Sequence, residues 1–254
     1  MPAEAETSED AVLGGRLVLR QPRAGHRVGH DAILLAAAIS ARAGDHAVDL
    51  GAGVGAAGLA LAQRIDGLTM TLVEIDPALA ALAVENAARN GLGQRVRAAC
   101  LDVVAPAAAF AAAGLPPGTA DSVLMNPPFN AAQNPSPDRG RRLAHVAANE
   151  TLRGWLETAA RLLRPQAAVT LIWRADGLDV VLAALADGFG AVTLLPLYPK
   201  PSAAAIRVLA RAVKGSRAPL SLLPGFTLAD AAGNPTAEAQ AVLRGNAVLA
   251  LADD

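Results

Sequence analysis

An α/β fold on a doubly wound, mostly parallel sheet of seven strands, with an antiparallel hairpin at one edge, is predicted by three observations. Short β-rich runs alternate with Ala/Leu-rich helical stretches through most of the chain. The first core run ends in a glycine-rich turn that opens a helix, and the last two runs follow one another with no clear helix between them. Alternation of this kind marks βαβ units, whose parallel strands need a crossover, whereas directly joined strands pair antiparallel.

Ahead of the alternation, residues 1–15 carry Glu4, Glu6, Glu9 and Asp10 and read as a flexible acidic tail, with residues 16–254 as a single domain. Leu17 to Leu19 reads as a short strand, and Asp31 to Ile39 as a helix with Asp31 at its N-cap, where a carboxylate can accept from unpaired N–H groups. Core strands are expected at Ala47–Leu50, Met70–Ile75, Val96–Cys100, Ser122–Met125 and Val169–Trp173. Helices fall at Ala56–Arg64, Ala78–Asn90 and Leu152–Leu163, and a further helix at Leu178–Ala186 leads to the joined runs Ala191–Leu197 and Ile206–Val213. Ala105 to Ala113 reads as biased composition without a function of its own. Longer loops are expected at Asn130–Arg142 and from Ser216 onward. The first follows the carboxyl end of a strand, which is where open α/β sheets bind ligands.

Apolar residues make up 53% of the 254 and charged residues 18%, which excludes a disordered chain, and no apolar run is long enough to cross a bilayer. An acidic start is not a secretory signal, so the expected location is the cytoplasm. Cys100 is the only cysteine, which leaves no internal disulfide and no thiol cluster; His26 and His30 lack a third convergent ligand, so no metal is expected. A net charge of −1 excludes coating of nucleic acid by bulk electrostatics. Local patches remain: Arg16, Arg20, Arg23 and Arg27 lie in an acid-free stretch, as do Lys200, Arg207, Arg211, Lys214 and Arg217, while Arg139, Arg141 and Arg142 share a loop. Any surface that holds a polyanion must be assembled from these.

Two motifs carry chemistry. In Val48-Asp49-Leu50-Gly51-Ala52-Gly53-Val54-Gly55 a strand runs into a turn whose glycines let the backbone approach a ligand, and the next helix presents free N–H groups. That turn also suits a dinucleotide fold, so the acids beyond it matter: Glu74, at the end of the second core strand, can accept from both hydroxyls of a ribose, and Asp102, after the third, can accept from an adenine amine. In Asn126-Pro127-Pro128-Phe129 the two prolines end the fourth strand, fix φ and force Asn126 extended, which leaves a rigid cluster of acceptors. The Asn126 oxygen and the Pro127 carbonyl can take the two protons of a planar NH₂ group, and Phe129 offers a face for stacking. Two aligned acceptors favour pyramidalisation of a delocalised amine, so nitrogen can attack a sulfonium methyl without a histidine or a metal.

Together these motifs resemble the class I methyltransferases that modify planar nitrogen in adenine, cytosine or glutamine amide. Gly29-His30-Asp31-Ala32-Ile33-Leu34-Leu35-Ala36, with Arg207-Val208-Leu209 and Lys214-Gly215, looks more narrowly like the bacterial family that N6-methylates the adenosine beside the anticodon of a valine tRNA, over about Gly14 to Gly245. The resemblance implies a Rossmann-like class I methyltransferase fold and S-adenosyl-L-methionine as cofactor. It assigns Asp49, Gly51, Gly53 and Gly55 to the methionine part, Glu74 to the ribose and Asp102 to the adenine. Asp31 and its helix would close over the cofactor, Asn126 would face cofactor and substrate, and Asn126 to Phe129 would hold the target base. His30 departs from the threonine usual there. RNA, expected as tRNA, would meet the basic patches that include Arg141, Arg142, Arg207 and Arg211. Trp155 and Trp173 are expected in the core or a pocket wall. Two other readings use part of this pattern. A glutamine-amide methyltransferase would share the acceptors, but about 45 residues ahead of the first core strand leave little room for that family's helical domain. An NAD-dependent oxidoreductase or nucleotide-binding module would share the glycine turn and leave Asn126 to Phe129 unexplained.

Overall fold

The central strands are apolar on both sides because helices cover both faces of the sheet. A computed structural model describes residues 6–23, 27–128 and 139–251, with backbone alone for 139–149. Its elements are β1 (Thr7–Val12), β2 (Leu17–Pro22), α1 (His30–Ala37), β3 (His46–Leu50), α2 (Ala56–Arg64), β4 (Thr69–Glu74), α3 (Pro77–Arg89), β5 (Val96–Cys100) and α4 (Ala107–Ala112). There follow β6 (Ala120–Met125), α5 (Arg139–Leu162), β7 (Leu163–Arg174), α6 (Leu178–Leu185), β8 (Phe189–Tyr198), β9 (Arg207–Lys214), β10 (Ser221–Leu222), β11 (Phe226–Thr227) and α7 (Ala237–Leu243). The main sheet runs β10-β8-β9-β7-β6-β3-β4-β5, with β11 also on β8. Strands β5, β4, β3, β6 and β7 are mutually parallel, and β9 lies antiparallel to both β7 and β8. The seven expected strands and their antiparallel edge are therefore present. Two short strands in the segment read as a loop after Ser216 lengthen the edge.

Side chains alternate across the strands and divide the core in two. Ala47, Leu72, Leu124, Ile172 and Leu209 join α1, α2, α3 and α7 on one face. Val48, Leu50, Val73, Val123, Met125, Leu171 and Val208 join α4, α5 and α6 on the other. At the start of β3, the His46 ring nitrogens lie 3.2 Å from the Thr119 carbonyl and 2.9 Å from the Thr71 hydroxyl. Burial lowers the pKa of this imidazole.

Three expectations need correction. Residues 7–15 do not form an unpaired tail: β1 pairs antiparallel with β2 and a 3₁₀ turn at Leu13–Gly15 joins them. Its acids sit opposite basic partners, with Asp10 accepting from Gln21 Nε2 and Arg27 Nη2, both at 2.6 Å, and Glu9 paired with Arg89. The Gln21 bond, helped by Arg27, holds the Asp10 carboxyl below its usual range. Helix α1 begins one residue early, with Gly29 at the N-cap; Asp31 lies inside the first turn because its carboxylate is drawn to Arg207 Nε at 2.8 Å. Finally, α5 begins at Arg139, inside the segment expected to be a loop up to Arg142 and well ahead of the helix expected from Leu152. The alanine-rich stretch forms α4, which buries Phe110 completely under the Arg161 guanidinium, 5.3 Å from the ring centre.

Hairpin β1–β2 is fastened to α3 by two asparagines that sequence patterning had not singled out. The Asn90 amide donates to Val18 O at 2.8 Å and accepts from Val18 N at 2.9 Å; Asn86 does the same with Arg20 at 3.0 and 2.7 Å. Four residues on a helix rise about 6 Å and two on a strand about 6.6 Å, so the two amides serve as a substitute strand for the free edge of β2.

Candidate active site

Of the residues expected to hold the cofactor, Asp49, Gly51, Gly53, Gly55, Glu74 and Asp102 lie toward the carboxyl edge of β3, β4 and β5, while Asn126 follows β6 and Asp31 lies on α1. Gly51, Gly53 and Gly55 all have φ between +57° and +91°, the region that favours glycine. Gly51 N and Ala52 N both donate to Val73 O at 2.9 Å, which folds the turn over the end of β4. There Glu74 is enclosed: Oε2 accepts from Gly53 N at 2.7 Å and Oε1 from Asp76 N at 2.9 Å. A carboxylate has about four acceptor positions, so capacity for a diol persists. Asp49 is buried behind the turn and accepts from Gly58 N at 2.9 Å. Burial pushes its pKa up to about 7, with a smaller push from the Glu74 charge against the pull of the Gly58 bond. A Cβ on Gly58 would lie 2.4 Å from Leu72 Cδ2, so this glycine is what lets α2 approach the sheet.

Space in front of the turn is unevenly shared. A Cβ on Gly53 would meet nothing within 4 Å, whereas one on Gly51 would lie 2.3 Å from Trp155 Cη2, so the indole of α5 forms a wall against Gly51. Asp102 is exposed and accepts from Val104 N at 3.0 Å. Ile75 and Val104 follow Glu74 and Asp102 and remain 61% and 55% exposed, two apolar side chains fit to flank a flat ring. Ile75, Val104 and Gly58 were not selected from sequence, whereas Trp155 was expected in the core or a pocket wall and forms such a wall; Ile75 directly after Glu74, and Val104 two residues after Asp102, were the available signals. These features fit S-adenosylmethionine: open volume over Gly53, a carboxylate held at the turn, and exposed apolar groups beyond it.

Leu50 is in register with Met125, so Asn126 and Gly51 are the first residues beyond two adjacent, aligned strand ends. The Asn126 Oδ1 is buried and has no hydrogen-bond partner among the described residues. Pro127 is buried and Pro128 exposed, while Phe129 lies outside the described residues.

The basic patches are less uniform than the sequence suggests. Arg20, Arg23 and Arg27 pair with Glu85, Glu6 and Asp10, and Arg16 donates to the Arg244 carbonyl and to Asn246, so the first patch is occupied within the fold. Arg211 is half-buried in the middle of β9, opposite Thr170 and Thr193, and its pKa is lowered by burial. Arg207, four residues earlier, is at the carboxyl edge with Asp31, which therefore meets a cation instead of standing alone at the expected cofactor contact. The side chains of Arg139, Arg141 and Arg142, and all of His26, lie outside the described residues. Those residues hold no cluster of three or more metal-ligating side chains and no helix long and apolar enough to cross a membrane.

This arrangement, a doubly wound sheet with its glycine turn, acids and acceptor cluster along one edge, is that of the S-adenosylmethionine-dependent methyltransferases. A protein from Agrobacterium tumefaciens described as a predicted O-methyltransferase is similar at 28% identity and a TM-score of 0.74, over 87% of this chain and 98% of its own. An S-adenosylmethionine-dependent O-methyltransferase from Thermotoga maritima shares the fold at 17% identity and a TM-score of 0.54, over 77% of this chain and 69% of its own. The chain belongs to the methyltransferase small domain family, whose description matches residues 24–175. Among curated relatives, a tRNA1(Val) (adenine(37)-N6)-methyltransferase from Porphyromonas gingivalis is 32% identical over 156 residues, and the match spans 60% of each chain. One of the same description from Aeromonas hydrophila is 31% identical over 195 residues, 76% of this chain and 79% of its own.

Proposed function

We propose that this protein transfers a methyl group from S-adenosylmethionine to the N6 amine of an unpaired adenine in RNA, in a tRNA beside the anticodon. The observation that carries the reading is the buried Asn126 Oδ1, without a partner among the described residues, at the end of the strand beside the one that runs into the glycine turn. A buried acceptor without a donor costs about 1–3 kcal/mol, so its retention favours a ligand that donates. An exocyclic amine brings two protons, which Asn126 Oδ1 and the Pro127 carbonyl can accept; a hydroxyl brings one, which makes the acceptor pair a better match to nitrogen than to oxygen. S-adenosylmethionine supplies an electrophilic methyl when bound. The chain's part is to hold the amine pyramidal and aimed, and to exclude water from it. The names of the Porphyromonas and Aeromonas relatives support adenine in tRNA, and an anticodon loop presents its bases unstacked and cheap to extrude.

Digestion and mass spectrometry of total tRNA with and without the gene, followed by methylation of purified unmodified tRNA, tests the substrate. Loss of N6-methyladenosine beside the anticodon of one tRNA is the expected result. Unchanged tRNA together with a newly unmethylated glutamine in a protein would assign the site to an amide. For the mechanism, Asn126→Ala should keep its affinity for S-adenosylhomocysteine and lose at least about a hundredfold in kcat, because its acceptor matters most in the transition state.

A further inference from the structure

Beyond Asn126 the same edge carries a row of cations. In the register of β7 on β9, Arg174 lies directly opposite Arg207. Alternation that places Leu124, Ile172 and Leu209 in one core puts the positions two residues nearer the edge, Asn126, Arg174 and Arg207, on that same side. Like charges directly opposed across a strand pair destabilise a sheet. Here each has its own acid: Arg174 Nε and Nη2 contact Asp176 Oδ1 and Oδ2 at 2.8 and 3.0 Å, and Arg207 Nε contacts Asp31 Oδ2 at 2.8 Å. The next strand, β8, pairs Leu197 with Arg207 and ends at Tyr198, two residues before the exposed Lys200. Three adjacent strands thus each deliver one cation to the edge next to the acceptor site. Strand spacing and rise put the Arg174 backbone about 8 Å from that of Asn126.

We infer that Arg174, Arg207 and Lys200 form the track for the RNA phosphodiester backbone that flanks the base held at Asn126. This rests on the RNA reading above and adds the surface and direction of binding, outward from β6 across β7, β9 and β8. The opposed arginines are the observation that favours it. A sheet edge with no anionic ligand gains nothing from two guanidinium groups in register, whereas phosphate accepts the planar, forked donors of arginine in pairs. Asp176 has a largely exposed side chain, and surface pairs of that kind are weak, so a phosphate can displace it at little cost. Asp31 keeps Arg207 oriented from the first turn of α1.

The test is binding of a short stem-loop RNA with an unpaired adenine, followed by fluorescence anisotropy over a range of salt, for the full chain and for Arg174→Glu and Lys200→Glu. Each reversal should weaken RNA about tenfold or more at low salt and lower the salt slope by roughly one phosphate contact. Affinity for S-adenosylhomocysteine and the melting temperature should stay near those of the unmodified chain. RNA affinity and salt slope within about twofold of the unmodified chain in both variants would overturn the track and leave the RNA reading intact. An unmodified chain that neither binds nor methylates RNA would overturn the RNA reading itself, and with it the track.

Discussion

Asp49 makes the apoprotein sensitive to pH in a direction opposite to that of an ordinary ion-paired carboxylate. Its pKa of about 7 lies above the ~3.9 of an unfolded aspartate, so between those values the folded chain holds a proton that the unfolded chain has lost. Stability is then greatest at the acid end of the window and declines as pH rises to about 7. Urea unfolding at pH 5 and pH 8 should show a loss of about 2–3 kcal/mol from this group, and Asp49→Asn should remove that difference. His46 acts the other way, since its lowered pKa withdraws stability as pH falls below about 6.5, so the variant must be compared with the unmodified chain at each pH. The glycines divide as well. Gly53→Val meets no neighbouring atom but puts a β-branched residue at φ +57°, so it should cost some stability and abolish binding of S-adenosylhomocysteine by the protein that remains folded, read by calorimetric titration, whereas Gly51→Ala also collides with Trp155 and should lower the melting temperature further. Unimpaired binding by the Gly53 variant would move the cofactor elsewhere. The roles proposed for Asn126 and Gly53 could be read from their immediate neighbours in sequence. Trp155 was expected only as core or pocket wall, and its contact with Gly51 could not be named because the two lie more than a hundred residues apart.

The same distinction holds for whole elements. Helix α2 was readable to both ends, from a left-handed glycine before Ala56 to Arg64, as its turn and cap are local. The β1–β2 hairpin was hidden because its acids look like a solvated tail until Arg23, Arg27 and Arg89 are brought to them by the fold. Its attachment to α3 gives a sharp expectation. Asn86 is fully buried and its amide satisfies Arg20 N, Arg20 O and Val54 O, so Asn86→Ala strands three backbone groups at once. A loss of about 2–4 kcal/mol in chemical denaturation should follow, with amide exchange rising first in β1 and β2. Unchanged protection there would mean that the hairpin is held by its packing alone.

For the molecule as a whole, the order β8-β9-β7-β6-β3-β4-β5 separates the two halves of the proposed chemistry. Strands β3 to β5 carry the glycine turn and its acids, β7 to β9 carry the cations, and β6 stands between with Asn126. Strand number and the antiparallel edge followed from the rhythm of the sequence; the insertion of β9 between β7 and β8 did not, since pattern reveals that two strands pair but not on which side a third joins. S-adenosylhomocysteine should stabilise the entire fold, by about 2.7 kcal/mol at a hundred times its Kd, while NAD at the same concentration leaves the melting temperature where it was.

The Asn126 oxygen, without a partner among the described residues, also bears on how the reaction would finish. An unmethylated N6 amine can quench two acceptors, whereas its monomethylated product has one N–H left and must leave either Asn126 Oδ1 or the Pro127 carbonyl unsatisfied again. On the proposed chemistry the pocket would then prefer reactant to product by about 1–2 kcal/mol, roughly tenfold in affinity. Competition between matched oligonucleotides with adenosine and N6-methyladenosine measures that preference. A site of this kind sets its own stopping point: it expels what it has made, and it stops at one methyl group because a monomethylated amine, with one N–H, can engage only one of the two acceptors that hold it aligned.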